Sequence, residues 1–170
     1  RVPLIIDAFR MAREMAPHEL RGWRLVIAGR GTERTAIKAQ VAGDQDIDCV
    51  GQLEREALQA LLLRSSLAVS IPISDATSAS VLETIAAGLI PVVNDLPANL
   101  EWVDASIGVI VPKDPTTAQL ASGIVEGIVH RFDRSAVRDR VAAVTWEAEL
   151  ARLSNAFRSV AGGRPSKFDE

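Results

Sequence analysis

The chain has 170 residues, 48% of them hydrophobic and 24% charged, with a formal net charge of -3. Those values suit one globular domain with a sizeable core and exclude a disordered chain, while the acidic balance and interspersed charges argue against nucleic acid and against a polybasic membrane surface. No apolar run reaches the ~20 residues that span a bilayer, no secretory leader is visible, and the lone Cys49 cannot pair internally, which fits a reducing compartment.

Leu4, Ile5, Ala8, Phe9, Ala12 and Met15 recur at helical spacing, so a first helix runs to about Ala16 and stops before Pro17. No strand precedes it, which reads as a chain cut from something longer. Residues 23–28 form the first strand, which runs into Gly29-Arg30-Gly31, and a helix covers roughly 32–41. Residues 47–50 form a second strand closed by Gly51, followed by a helix over 53–64 with Leu58, Leu61 and Leu62 on its apolar face. The apolar run 67–73 is too short for a helix and reads as a strand buried on both faces. After a polar loop, Val81, Leu82, Ile85 and Ala86 return to helical spacing until Gly88 stops the helix and residues 90–93 begin a fourth strand. Residues 94–102, at the same edge of the sheet, read mostly as a turn into a short helix, with shaping of the floor of a site there as the alternative. A fifth strand at 108–111 is followed by helices near 116–130 and 134–144 and by an amphipathic helix from Trp146 to about Val160. Leu150, Leu153 and Phe157 form its stripe, part of which should pack on this domain and part stay exposed.

Strands alternating with helices at this rhythm predict right-handed crossovers and a single Rossmann-like, doubly wound parallel sheet with helices on both faces, an α/β fold. No repeat or internal linker appears, so residues 1–161 read as one domain and 162–170 as a frayed tail. Cys49 sits in an apolar strand and reads as a buried structural thiol. His18 and His130 stand apart, so no metal-ligand set is expected.

The loop after the third strand lies at a strand's carboxyl end and opens onto a helix N-terminus, where open α/β sheets bind ligands. Free backbone N–H groups and the helix dipole favour an anion there, phosphate above all. Asp75 and Glu83 bracket the loop with seven residues between them. Carboxylates do not bind phosphate; they accept hydrogen bonds from hydroxyls. A phosphate cradle at Thr77, Ser78, Ala79 and Ser80, flanked by hydroxyl acceptors, suits a sugar nucleotide. Plain structural readings stay open: Ser80-x-x-Glu83 also spells a capping box, Thr77, Ser78 and Ser80 are competing N-caps, and Asp75 suits a turn. Gly29-Arg30-Gly31 lets backbone approach a ligand closely, but it lacks the third glycine of the dinucleotide fingerprint and reads equally as a tight strand–helix turn. Arg30, Arg34 and Lys38 could supply positive charge to a diphosphate, although Arg34 and Lys38, four apart on one helix, suit a solvated face.

Asp75, seven residues and Glu83, followed by Ala86-Ala87-Gly88-Leu89-Ile90-Pro91-Val92-Val93, resemble the hallmark of the group 1, GT-B-fold, nucleotide-sugar-dependent glycosyltransferases in their C-terminal domain. There two acidic residues precede a small-residue helix end and a Gly-x-x-Pro-Val strand; the first acidic residue, a glutamate in the family, is Asp75 here. Ile27-Ala28-Gly29-Arg30-Gly31 resembles the family's glycine loop, Val50-Gly51-Gln52-Leu53 the segment that meets the base, and Val144-Thr145-Trp146-Glu147 the start of the closing helix. The resemblance covers nearly the whole chain. It implies a donor-binding domain, the C-terminal half of a GT-B fold. The enzyme would move a sugar from a UDP- or GDP-linked donor to a hydroxyl acceptor with retention, in cell-surface glycan or polysaccharide biosynthesis.

The same resemblance assigns roles. Glu83 would bind the ribose hydroxyls and Asp75 the donor sugar, these two being the candidate catalytic residues. The amides of Thr77, Ser78, Ala79 and Ser80 would hold the diphosphate. Gly29, Arg30 and Gly31 would line the donor site, and Gly51, Gln52 and Leu53 would meet the base. No cofactor and no metal are expected beside the nucleoside diphosphate sugar. A glycan or lipid-linked acceptor would be met by an N-terminal domain, which this chain lacks together with the family's upstream arginine and lysine, so the chain alone is expected to be inactive. The implied setting is cytoplasmic, with peripheral attachment at the inner membrane open to the full-length protein. A nucleotide-sugar 2-epimerase of the same fold and a non-catalytic α/β module that binds a nucleotide or a partner remain open alternatives.

Overall fold

The computed structural model describes residues 1–76 and 78–162. The expectation for Thr77, and that of a frayed tail over 163–170, lie outside the described residues; Gly162, the first residue of the expected tail, is helical. Among those described the order is α1 (Val2–Met15), β1 (Leu25–Ala28), α2 (Arg34–Gln40), β2 (Ile47–Gly51), α3 (Arg55–Arg64), β3 (Leu67–Ser70) and α4 (Ala79–Ala86). Then come β4 (Ile90–Asn94), α5 (Pro97–Leu100), β5 (Val109–Val111), α6 (Thr117–Val129), α7 (Arg134–Asp139) and α8 (Trp146–Gly162). No helix among them is long and apolar enough to cross a membrane.

Every strand pair is parallel, and helices cover both faces, as the alternation of elements predicts. The hydrogen bonding divides into two ladders, β1–β2 and β3–β4–β5. One apolar cluster nevertheless spans both. It joins Ile6 and Phe9 of α1, Ile47 of β2, Val92 of β4, Val109 and Val111 of β5, and Leu120 and Ile124 of α6. On the opposite face Val93 packs with Val81 and Ile85 of α4 and with Val137 of α7. Val92 and Val93 face opposite ways because strand side chains alternate. β4, bordered on both edges and covered on both faces, is buried throughout. The expectation that β3 is buried on both faces does not hold. All four of its residues are half-buried, because β4 is its one ladder partner among the described residues.

One helix end and one helix face also differ from the sequence reading. The helix expected over 134–144 stops at Asp139, and turns come after it in which Val141 is tucked into the α4–α7 cluster. α8 leaves its stripe outside: Leu150, Leu153 and Phe157 are each more than half exposed, Phe157 by 66%.

Two packing details hold the edges of this frame. Pro91 lies inside β4, and Gly108 sits against it just before β5. A Cβ on Gly108 would stand 2.5 Å from the Pro91 carbonyl oxygen and 2.7 Å from its ring Cγ. At the far end of α1, Arg10 donates to Asp44 (3.0 Å) and to the Gln40 carbonyl (2.9 Å), which ties α1 to the end of α2. Arg13 lies 3.6 Å from Asp44 and pairs with Asp46 at 2.6 Å. Burial pushes the Asp44 carboxyl up, but the Arg10 hydrogen bond, the Asp46 amide and the charges of Arg10 and Arg13 outweigh it and hold the group below the usual carboxylate range.

Both details carry expected outcomes. Gly108→Ala should cost about 1–3 kcal/mol through overpacking against backbone that cannot yield, lowering Tm by several degrees in a thermal melt. Gly31→Ala, whose Cβ would meet nothing within 4 Å, should melt like the parent. The Asp44 pairing stabilises the fold above the unfolded carboxylate pKa and is lost as pH falls through the lower folded value. Asp44→Asn should therefore melt below the parent at neutral pH, and the gap should close in acid; a gap constant from neutral to strongly acidic pH would contradict the pairing.

Candidate functional site

The carboxyl ends of β1 and β2 meet at two glycines. Gly29 N–H donates to the Gly51 carbonyl at 2.7 Å, and the strand register slips between Ile27 and Ala28 to allow it. Gly51 takes φ 79°, in the left-handed region that L side chains avoid, and Gly29 takes φ 141°. A Cβ on Gly51 would also stand 3.2 Å from Arg34 Nη2, so the guanidinium at the start of α2 reaches back over this turn. The result is a cleft of about 310 Å³ lined by Gly29, Arg30, Gly31, Arg34, Cys49 and Gly51, with Val2 of α1. Glu33 also lines it, so the guanidinium groups of Arg30 and Arg34 outnumber one carboxylate, and with the glycine backbone they suit an anion with an attached planar or apolar part.

The second part of the edge lies beyond β3. Asp75 is exposed, while Ser78, the N-cap residue of α4, is only 1% exposed. The Ser78 carbonyl accepts from Val81 and Leu82 N–H groups at 3.0 Å each, but its hydroxyl has no partner among the described residues. Ala79, Ser80 and Glu83 are exposed, and Val81 and Ile85 bury the opposite side of the helix. Helix α4 starts at Ala79, so Ser80 lies inside it and the capping box spelled by Ser80 and Glu83 does not form. Among the described residues the Glu83 carboxylate accepts no hydrogen bond. It stands free in solvent, one turn into the helix.

The structure thus brings Gly29, Arg30, Gly31 and Gly51 together in one cleft. Gln52, exposed, and Leu53, half-buried, come after Gly51 without lining it. Asp75, Ser78, Ala79, Ser80 and Glu83 form a separate patch at the end of the other ladder and do not line the cleft. Arg34, offered by the sequence reading to a diphosphate but also suited to a solvated face, is exposed and its guanidinium lines the cleft. Cys49 is half-buried rather than buried, because it packs against the main apolar cluster on one side and lines this cleft on the other. A larger hollow of about 530 Å³ at the far end of α1 is lined by Arg10, Arg13, Asp44 and Asp46, which are paired with one another.

Residues 1–128 match the family model described as glycosyl transferases group 1. No curated protein matches the sequence. Among solved structures the chain resembles the pneumococcal O-GlcNAc transferase GtfA in complex with UDP and GlcNAc, at 16% identity and TM-score 0.78, over 95% of this chain and 33% of that one. It also resembles sucrose-phosphate synthase from Thermosynechococcus elongatus, at 16% identity and TM-score 0.73, over 94% of this chain and 43% of that one. A third likeness is to WaaG, a glycosyltransferase involved in lipopolysaccharide biosynthesis, at 18% identity and TM-score 0.63, over 86% of this chain and 40% of that one. At these identities the likeness is one of fold. The chain spans between 33% and 43% of the length of these three structures.

The geometry of the cleft mouth makes one position sensitive. Gly51→Ala should destabilise the protein by about 1–2 kcal/mol, the cost of a left-handed conformation with a side chain, while Gln52→Ala beside it should leave chemical denaturation unchanged. Equal midpoints for both variants would contradict the strained turn.

Proposed function

Since the chain belongs to the group 1 glycosyl transferases, we propose that it is the donor-binding, C-terminal domain of such an enzyme. In this reading it takes a nucleoside diphosphate sugar, UDP- or GDP-linked, and presents it for retaining transfer of the sugar to a hydroxyl acceptor. The product would be a cell-surface glycan or polysaccharide. The observation that carries the reading is the start of α4. There a buried serine hydroxyl without a partner among the described residues sits at a helix N-terminus between two exposed carboxylates, Asp75 and Glu83. The pneumococcal transferase was solved with UDP and GlcNAc, the class of ligand proposed for this site.

The chemistry rests on charge. Negative charge builds on the leaving diphosphate as the glycosidic bond breaks, and fixed amide dipoles ahead of α4 stabilise it without reorganising. The Ser78 hydroxyl adds a donor there. Glu83 accepts hydrogen bonds from the ribose hydroxyls and Asp75 from the donor sugar. The glycine cleft and the guanidinium groups of Arg30 and Arg34 hold the nucleotide end. The reading invokes no metal and no cofactor. A single unpaired cysteine suits a cytoplasmic setting.

The test is calorimetric titration of the parent, Glu83→Ala and Glu83→Gln with UDP and GDP. Charge-assisted hydrogen bonds are worth roughly 1.5–3 kcal/mol each, so Glu83→Ala should weaken binding by about tenfold or more. Tm should stay near the parent value, because the carboxylate is exposed and accepts no hydrogen bond among the described residues. Bound nucleotide should also slow alkylation of Cys49, which lines the cleft. Equal affinities for Glu83→Ala and the parent would remove the ribose assignment.

A further inference from the structure

Asn94 closes β4 and is fully buried. Its side-chain nitrogen donates to the Pro72 carbonyl at 2.9 Å and to the Lys113 carbonyl at 2.8 Å. Those carbonyls lie just beyond the carboxyl ends of β3 and β5, so one amide pins the two strands that flank β4. Asn99, fully buried in α5, donates in turn to the Asn94 backbone oxygen at 2.9 Å and to its Oδ1 at 3.1 Å. Both amide hydrogens of Asn94 and its side-chain oxygen are therefore engaged. The Lys113 carbonyl also accepts from Arg1 at 2.9 Å, which links the start of α1 to the same rivet.

Few residue types can make this junction. Two carbonyls facing one atom of a buried side chain require two N–H groups on an uncharged planar nitrogen, which a primary amide supplies. An aspartate would meet them with acceptors, and a lysine would bury a charge. The tether bears directly on the candidate site, because the loop that carries Asp75 begins at Pro72. Pro72 has no N–H with which to extend the ladder, and Ile73, Ser74, Asp75 and Ala76 are exposed. Among the described residues the Asn94 bond is the hydrogen bond that anchors 72–76 before Ser78 begins the helix.

We propose that Asn94 is the positioning residue of the segment 72–76, fixing through the Pro72 carbonyl where Asp75 stands relative to β4 and to the start of α4. The proposal rests on the reading of that loop as the donor-diphosphate site. It is distinct from a purely structural role, because a pin that only stabilised the fold would leave the affinity of the folded protein unchanged.

The experiment compares Asn94→Ala with Gly108→Ala, whose clash with Pro91 lies away from the loop and supplies matched destabilisation. All proteins are titrated with UDP and GDP well below their Tm, and backbone hydrogen exchange is followed over 72–80. Expected is a fall in nucleotide affinity of about tenfold for Asn94→Ala, with faster exchange confined to this segment, and parent-like values of both for Gly108→Ala. If Asn94→Ala does not fold, Asn94→Thr, which suits a strand, takes its place. Parent-like affinity and exchange in the Asn94 variant, with Glu83→Ala still weakening the parent, would overturn the positioning role alone. Failure of the parent to bind UDP or GDP would overturn the donor-site reading and this proposal with it.

Discussion

Parallel pairing constrains everything else in this chain. Neighbouring parallel strands cannot be joined by a tight turn, so every return crosses over through a helix. All the strand carboxyl ends of a ladder then point the same way, and all its polar loops collect along one edge. Helices bury apolar faces on both sides of the strands, α1 and α6 on one and α4 and α7 on the other, whereas the returns α2 and α3 bury no residue fully. β4 bears the consequence most fully. With strands on both edges and helices on both faces, it has no exposed position, and a polar residue at its end must find partners within the protein. Asn94 finds them in the loops of both neighbours.

The carboxyl edge divides its work between two kinds of polar surface. The β1–β2 end offers glycine backbone and guanidinium groups around a concave cleft, which suits the anionic and planar parts of a ligand. The β3 end offers a helix N-terminus and carboxylates that stand free, which suits phosphate beside hydroxyls. Ser78 sharpens this division. A buried hydroxyl left without a partner costs roughly 1–3 kcal/mol, which an anion bound at the helix start would recover under the proposed function. Other polar contacts tie the frame together: the Arg10–Asp44 pairing holds α1 against the end of α2, and the Asn94–Asn99 network lies behind the β3 loop.

Much of this was legible in the residues alone. The order of strands and helices, the parallel class, the glycine turn at Gly29 and the carboxyl-edge loop at Asp75 all come from local periodicity and turn chemistry, which depend on neighbours a few positions away. Local pattern failed where two segments compete for one conformation. Ser80-x-x-Glu83 and Thr116-x-x-Gln119 spell the same capping box, yet only the second forms. At Thr116 the backbone is extended, and its hydroxyl accepts from Gln119 N–H at 3.2 Å. At Ser80 the helix has already begun, because the Ser78 carbonyl accepts from Val81 and Leu82.

Only the tertiary structure decided the relations between distant segments. The split into two ladders, the half-burial of β3, the Arg34 guanidinium beside Gly51, Cys49 facing a cleft and Asn94 joining Pro72 to Lys113 each involve residues far apart in the chain. Their geometry depends on how the helices seat on the strands. The sequence by itself determined which segments become strands and helices and which residue types stand at the strand ends, because those choices are made by periodicity and by glycine, proline and capping residues. It left open which of those ends share a cleft and which buried polar group serves which loop. Those outcomes are decided by close packing and by the need of most buried donors and acceptors to find partners, conditions that exist only once the chain has folded.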